Sequence, residues 1–380
     1  MAYPIIDSHI HLFPESELDT LAWNSPTSPF YKQHSLAEYA AATGSPSNLE
    51  GFIFLETDRK NDLETGLEDG TGWEMPLMEV EWLKRIALGT PKEGEGHTEA
   101  DKKLCLAIIP WAPLPSGAKG LEKYVGEVKK HAGESFKKIR GFRYLVQDKP
   151  KGVMLQDDFI EGLKWLGKNG YVFDLGVDQH SGGKWQLEEA VAMIEKAHDG
   201  VPEAEKVTFI INHLCKPDLA VYNQTDPAFV AWRTAMFTLS KCSKTYMKLS
   251  GCFSEMPESL KNAPVLEIFA ALQPYLVVIL ATFGPFRIMF GSDWPVCTAG
   301  VNDAWKKWKE VVEKLCYLAS LTQEDQIMIW SGTAIKAYGI NELILKEYVK
   351  SVSGTAASFI VTFLFYHFLP EKLPPGHSQI

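Results

Sequence analysis

The stretch Pro4-Ile-Ile-Asp-Ser-His-Ile-His-Leu-Phe13 sets the reading of this chain, together with the turn Gly291-Ser-Asp-Trp-Pro295 that closes an apolar run near its other end. Ile5, Ile6 and Ile10 favour an extended, buried segment. On a strand, alternate side chains share a face, so Asp7, His9 and His11 are expected to line one side and to offer two imidazoles to one ion. A helix would need its paired ligands three or four residues apart. A lone His-x-His is also met in polar strand ends that bind nothing, so the pattern needs support from elsewhere in the chain.

That support comes from the rest of the organisation. Apolar, β-rich runs at 5–13, 51–57, 104–111, 139–146, 171–177, 207–213, 246–251 and 287–293 alternate with amphipathic helical stretches such as 121–130, 157–167 and 187–197. Eight such repeats are the pattern of a closed (β/α)8, TIM-barrel-like α/β fold, here a single domain over 1–345. The connection 58–103 is a long insertion between strands two and three, with one helix expected at 75–88 and a charged loop after it that would serve as a lid. From 346 to 380 the pattern is lost. Residues 356–369 form a continuous Phe-rich apolar run, short for a spanning helix, which needs about twenty residues, so a packed or interfacial tail is expected before a membrane anchor.

Composition narrows the function. Of 380 residues, 46% are hydrophobic and 23% charged, as in an ordinary globular enzyme, and the net charge of −10 argues against nucleic acid. The six cysteines are scattered with no C-x-x-C pair, and the first strand begins too early for a signal peptide; a reducing, cytoplasmic setting follows, and the sequon Asn223-Gln-Thr225 reads as chance.

In a parallel barrel the reacting groups gather at the C-terminal ends of the strands. Here those ends carry His9 and His11, Glu56, Trp111, Arg143, Asp178 and His180, Asn212 and His213, Ser250, and Asp293. So many ionisable groups above a Val/Ile/Leu interior are expensive to desolvate unless they have partners or a task. His34, His97, His131 and His198 fall away from the strand ends and read as surface residues.

Asp7-Ser-His-Ile-His11, Arg140-Gly-Phe-Arg143, Asn212-His-Leu-Cys-Lys-Pro217 and Phe290-Gly-Ser-Asp-Trp-Pro295 together resemble the amidohydrolase-related family over residues 1–340. The similarity is to its sugar-lactonase branch, which holds the fungal L-rhamnono-γ-lactonases and the L-fuconolactonases. The resemblance implies one divalent ion, zinc foremost, on His9, His11 and Asp293, with His180 or His213 as a further ligand. It also implies a hydrolase that opens an aldonolactone, a small-molecule substrate, with Asp293 as general base and His213 steadying the oxyanion. Arg143, a permanent cation where binuclear relatives place a bridging ligand, speaks against a second metal. A metal-independent route, with the histidines as hydrogen-bond donors, stays open, as does a homo-oligomer.

Arg143 is the expected grip on substrate oxygens, with an ion pair to Glu56 or Asp178 as its alternative role. Trp111, Trp294 and His180 are the other expected substrate contacts. No Gly-x-Ser-x-Gly elbow or phosphate loop is present. The rival reading is a metal-dependent decarboxylase of aromatic or muconate-type acids on the same barrel.

Overall fold

The computed structural model describes residues 3–340; the tail 346–380, with its apolar run, lies outside the described residues. Eight parallel strands follow one another around a barrel: β1 (Ile5–Ile10), β2 (Leu49–Leu55), β3 (Cys105–Ile109), β4 (Gly141–Arg143), β5 (Val172–Leu175), β6 (Phe209–Ile211), β7 (Thr245–Leu249) and β8 (Ile288–Phe290). They form a three-stranded and a five-stranded sheet, each in sequence order. Bridges Ile108–Ile139 and Trp111–Arg143 join β3 to β4, and Ile10–Trp294 joins β1 to the end of β8. Each expected strand is present; β2 keeps seven residues but begins two earlier, at Leu49, and the other seven are shorter, because the polar residues at the strand ends belong to the loops that follow.

The outer layer comprises α1 (Leu36–Thr43), α2 (Glu74–Leu88), α3 (Gly117–Ala132), α4 (Asp157–Lys168), α5 (Trp185–His198), α6 (Pro227–Ser240), α7 (Val265–Phe283) and α8 (Ala304–Leu318). The helices place apolar residues at helical spacing toward the strands. In α7, Ile268, Leu272, Leu276 and Ile279 are buried while Leu266 and Val277 face outward. The insertion 58–103 behaves differently from a lid. Trp82, Leu83 and Ile86 of α2 are fully buried, so this segment supplies a helix of the barrel's own outer layer.

Asp7 also departs from the expectation. The register between β1 and β2 shifts between Asp7 and Ile10, and the Asp7 carboxylate turns toward the helical layer. There it accepts hydrogen bonds from Tyr39 Oη and Trp305 Nε1 (2.9 Å each) and from the Ser292 N–H (2.7 Å). Burial pushes its pKa up against these bonds. Asp7 therefore ties β1 to the end of β8, which is how the two halves of the site are brought together.

Candidate active site

Two backbone hydrogen bonds bring the chain's ends into register. His11 N–H donates to Trp294 O (2.7 Å) and Asp293 N–H donates to His9 O (2.9 Å). His9 Nε2, His11 Nε2 and Asp293 Oδ1 then converge, with separations of 3.1 Å between the imidazoles and 3.5 and 3.6 Å from each imidazole to the carboxylate. Donors bound at about 2.0–2.1 Å around a tetrahedral ion lie about 3.4 Å apart, so this set fits one small divalent cation.

The tautomer of His11 suits that role. Its Nδ1 faces Leu55 O and Glu56 O, each at 3.0 Å, and because carbonyls only accept, Nδ1 carries the proton and Nε2 presents a lone pair. His9 is set differently. Its Nδ1 meets Lys248 Nζ at 3.2 Å inside the barrel, where Lys248 is paired with Asp174 (2.6 Å) and Asp174 also accepts from Tyr338 Oη (2.8 Å). Burial first, then the positive field of Lys248, holds His9 well below the ordinary imidazole pKa. Burial likewise lowers Lys248, to about 8.

His213 closes the group from the fourth side. Its Nε2 lies 3.6 Å from Asp293 Oδ1, its Nδ1 2.9 Å from Ser250 Oγ, and its ring 4.4 Å from that of His9. It opens a turn in which His213, Leu214, Cys215 and Lys216 all have left-handed backbone (φ 55°, 54°, 62° and 45°), although none is glycine. Each such residue costs roughly 1–2 kcal/mol. Trp232 Nε1–H holds the turn at Leu214 O (2.7 Å) and His180 N–H holds it at Lys216 O (2.9 Å). At Gly251 a side chain would collide with the His213 ring, so glycine is required there. Burial lowers His213 to about 3 despite the Asp293 charge. For Asp293, burial pushes the pKa up, but His213, His11 and Lys216 outweigh it and keep the carboxyl below its ordinary value.

The site opens into a cavity of about 380 Å³. The sequence is similar to proteins of one known family. The amidohydrolase family model matches residues 123–340, and the L-rhamnono-gamma-lactonase of Scheffersomyces stipitis is 37% identical over 349 residues, 89% of this chain and 99% of that protein. The chain belongs to the amidohydrolase family. An L-fucono-1,5-lactonase of Burkholderia multivorans is 31% identical over 279 residues, 70% of this chain and 84% of its own length. A crystal structure of a Burkholderia multivorans amidohydrolase with bound zinc, 23% identical, superposes with a TM-score of 0.63 over 88% of this chain and 99% of that one, which shows the shared fold.

Within this amidohydrolase the other expected site residues divide. Arg143 lines the cavity with its Nε 3.2 Å from Glu56 Oε1, and its buried Nη1 has no hydrogen-bond partner among the described residues, so the expected contact with Glu56 and an open donor coexist. His180 stands apart from the ligand group. It sits in a short helical turn, Gln179–Gly182, where its Nδ1 meets Glu255 at 2.9 Å, and it does not line the cavity. Trp111 packs edge-on against Tyr124 in the core, and Trp294 packs between His34 and Tyr39 behind the site. Both are fully covered, 2% and 3% exposed, so neither offers a ring face to a substrate. His34 and His97, expected on the surface, are buried.

The cavity is walled instead by residues that the strand pattern did not single out: Phe13, Trp23 and Phe30 on one side, Asp58, Gln147 and Lys216 among the others. Lys216 was legible only as part of the Asn212–Pro217 motif. Lys248 had no visible signal, since a lysine inside a barrel strand looks like any strand lysine until its surroundings are known.

Proposed function

We propose that this amidohydrolase opens a sugar-derived 1,4-lactone by attack of water, with His9, His11 and Asp293 as the seat of one divalent ion, zinc foremost. The observation that carries the reading is the buried Asp293 carboxylate, met by three imidazoles at 3.5–3.6 Å on the floor of a cavity walled by both aromatic and polar side chains. The lactonases among its relatives support the substrate class.

An ion bound there would supply Lewis-acid polarisation of the ester carbonyl and acidification of water. The chain's own residues do the rest. Asp293, held in its ionised form, takes the proton of the attacking water as oxygen bonds to the carbonyl carbon. His213 faces the oxygen on which negative charge gathers. When the ring C–O bond breaks, the proton on Asp293 passes to the departing alkoxide, leaving a ring-opened aldonic acid with the atoms of lactone plus water. Arg143 Nη1 donates to a substrate oxygen beside this centre.

One observation favours a route without an ion. The Lys248 ammonium can only donate, so against it His9 Nδ1 accepts and Nε2 carries a proton, which makes His9 a hydrogen-bond donor at this centre instead of a ligand. Unpaired thiols at all six cysteines accord with the cytoplasmic setting we propose.

The test is a panel of 1,4-lactones and aromatic acids, assayed by proton release and by carbon dioxide, with and without chelator and followed by metal analysis. Lactone opening at constant carbon count supports the reading, and carbon dioxide from an acid with no lactone turnover overturns it in favour of the decarboxylase. Lactonase activity that survives complete metal removal assigns the route to His9 as donor.

A further inference from the structure

The rim of the cavity carries two unlike groups fixed to the same piece of backbone. Trp23 lines the cavity and is 42% exposed, whereas Trp111 and Trp294 are covered. Its orientation is set: Nε1–H donates to Thr57 O (2.8 Å), and Phe13 and Phe30 each meet its ring edge-on at 6.0 Å. The adjacent Ala22 N–H donates to Asp58 O (2.9 Å), and Leu21 bridges Arg59 in antiparallel fashion. Arg59 is fully buried and ties this rim to the turn Glu15–Thr20 through Glu17 Oε2 (3.1 Å), with Glu79 Oε1 at 3.3 Å.

Asp58 lines the cavity beside the indole on that stitched rim. Its backbone is left-handed (φ 52°), its N–H donates to Glu56 Oε2 (2.5 Å), and its carboxylate has no hydrogen-bond or ion-pair partner among the described residues. A side chain in a costly conformation, lining a cavity and accepting from nothing in its own chain, is poised for an external donor. Deeper in the same cavity Arg143 Nη1 is buried and equally without a partner. Asp148 and Lys149, paired with each other at 3.1 Å, flank the outer side and are solvent-screened.

The geometry points to Trp23 and Asp58 together as a rim clamp for the exocyclic, polyhydroxylated tail of the lactone: the indole face covers its carbons and the carboxylate accepts from its hydroxyls. This rests on the lactonase reading. The ring to be opened lies on the floor at Asp293 and His213, which are buried, and the tail then runs to the half-open rim. A clamp of this kind reads the substrate beyond the reacting ring and determines specificity without touching the bond that breaks.

The experiment compares two 1,4-lactones, an aldono-1,4-lactone with its hydroxylated tail and γ-butyrolactone without one, on wild type, Trp23→Ala, Asp58→Gly and Asp58→Asn. Glycine suits the left-handed backbone and isolates loss of the carboxylate; asparagine keeps an acceptor there. Each of Trp23→Ala and Asp58→Gly should lower the kcat/KM ratio of sugar lactone to γ-butyrolactone about tenfold, chiefly through KM. Asp58→Asn should recover most of the Asp58→Gly loss. A structural defect would depress both substrates together and leave the ratio alone, and that outcome overturns the clamp while the lactonase reading stands. A wild type that opens neither lactone removes both.

Discussion

Asp293→Asn separates the base from the scaffold around it. The residue is buried, and its carboxylate faces His9, His11 and His213 at 3.5–3.6 Å. Its backbone is left-handed (φ 64°), a conformation asparagine adopts at least as readily as aspartate, and the bond that registers it, its N–H to His9 O, belongs to the main chain. The fold should therefore survive. The chemistry should not, because the amide has no basic lone pair for the water proton. Loss of a general base costs about 10²–10⁴-fold, and the carboxylate's role in drawing the imidazoles together puts the expected fall in kcat at the upper end, roughly 10³–10⁴-fold.

Proton release in weakly buffered indicator, corrected for spontaneous lactone opening, measures this loss, with thermal melting as the control for folding. Residual activity above about a tenth of wild type in a folded variant would refute the assignment of the base, since even the low end of that range predicts a larger loss. The pH profile adds a second check. The Asp293 carboxyl is held below its ordinary value, and burial takes His213 down to about 3, so kcat/KM of the wild type should stay flat from pH 7 to about pH 5. An acid limb near pH 6.5 would transfer the base to a histidine.

Zinc at a hundred times its Kd should stabilise wild type by about 2.7 kcal/mol in thermal melts and leave His11→Ala unmoved; equal shifts in both would place the ion elsewhere. Burial pushes Glu56 from 4.5 up to about 8 although Arg143 opposes it. The folded chain then holds a proton that the unfolded chain releases, so this stabilising contribution is complete below about pH 4.5 and lost as pH rises toward 8. The melting temperature of wild type minus that of Glu56→Gln should accordingly fall from pH 5 to pH 8, and a difference that rises instead contradicts the burial argument. Trp111→Ala should cost about 3–5 kcal/mol of stability in denaturant titration and leave KM unchanged, as expected of a core residue; a raised KM in the folded variant would return Trp111 to the substrate site.

The sequence by itself determined the eight-strand order and the meeting of His9, His11, His213 and Asp293. A parallel barrel sends every strand end to one mouth, and the alternation of β1 puts two imidazoles on one face. Only the tertiary structure decided which way each remaining side chain turns. The register shift after Asp7 sends its carboxylate outward to Tyr39 and Trp305, and the short helix after β5 carries His180 to Glu255 and away from the ligand group. Tryptophan at a strand end is equally at home in core or cavity, and it is the neighbours Tyr124, His34 and Tyr39 that cover Trp111 and Trp294 while the loop bearing Trp23 leaves an indole at the rim. Periodicity fixes directions relative to a strand, whereas loops have no period, so the walls of the cavity are set by packing and by hydrogen bonds between segments far apart in the chain.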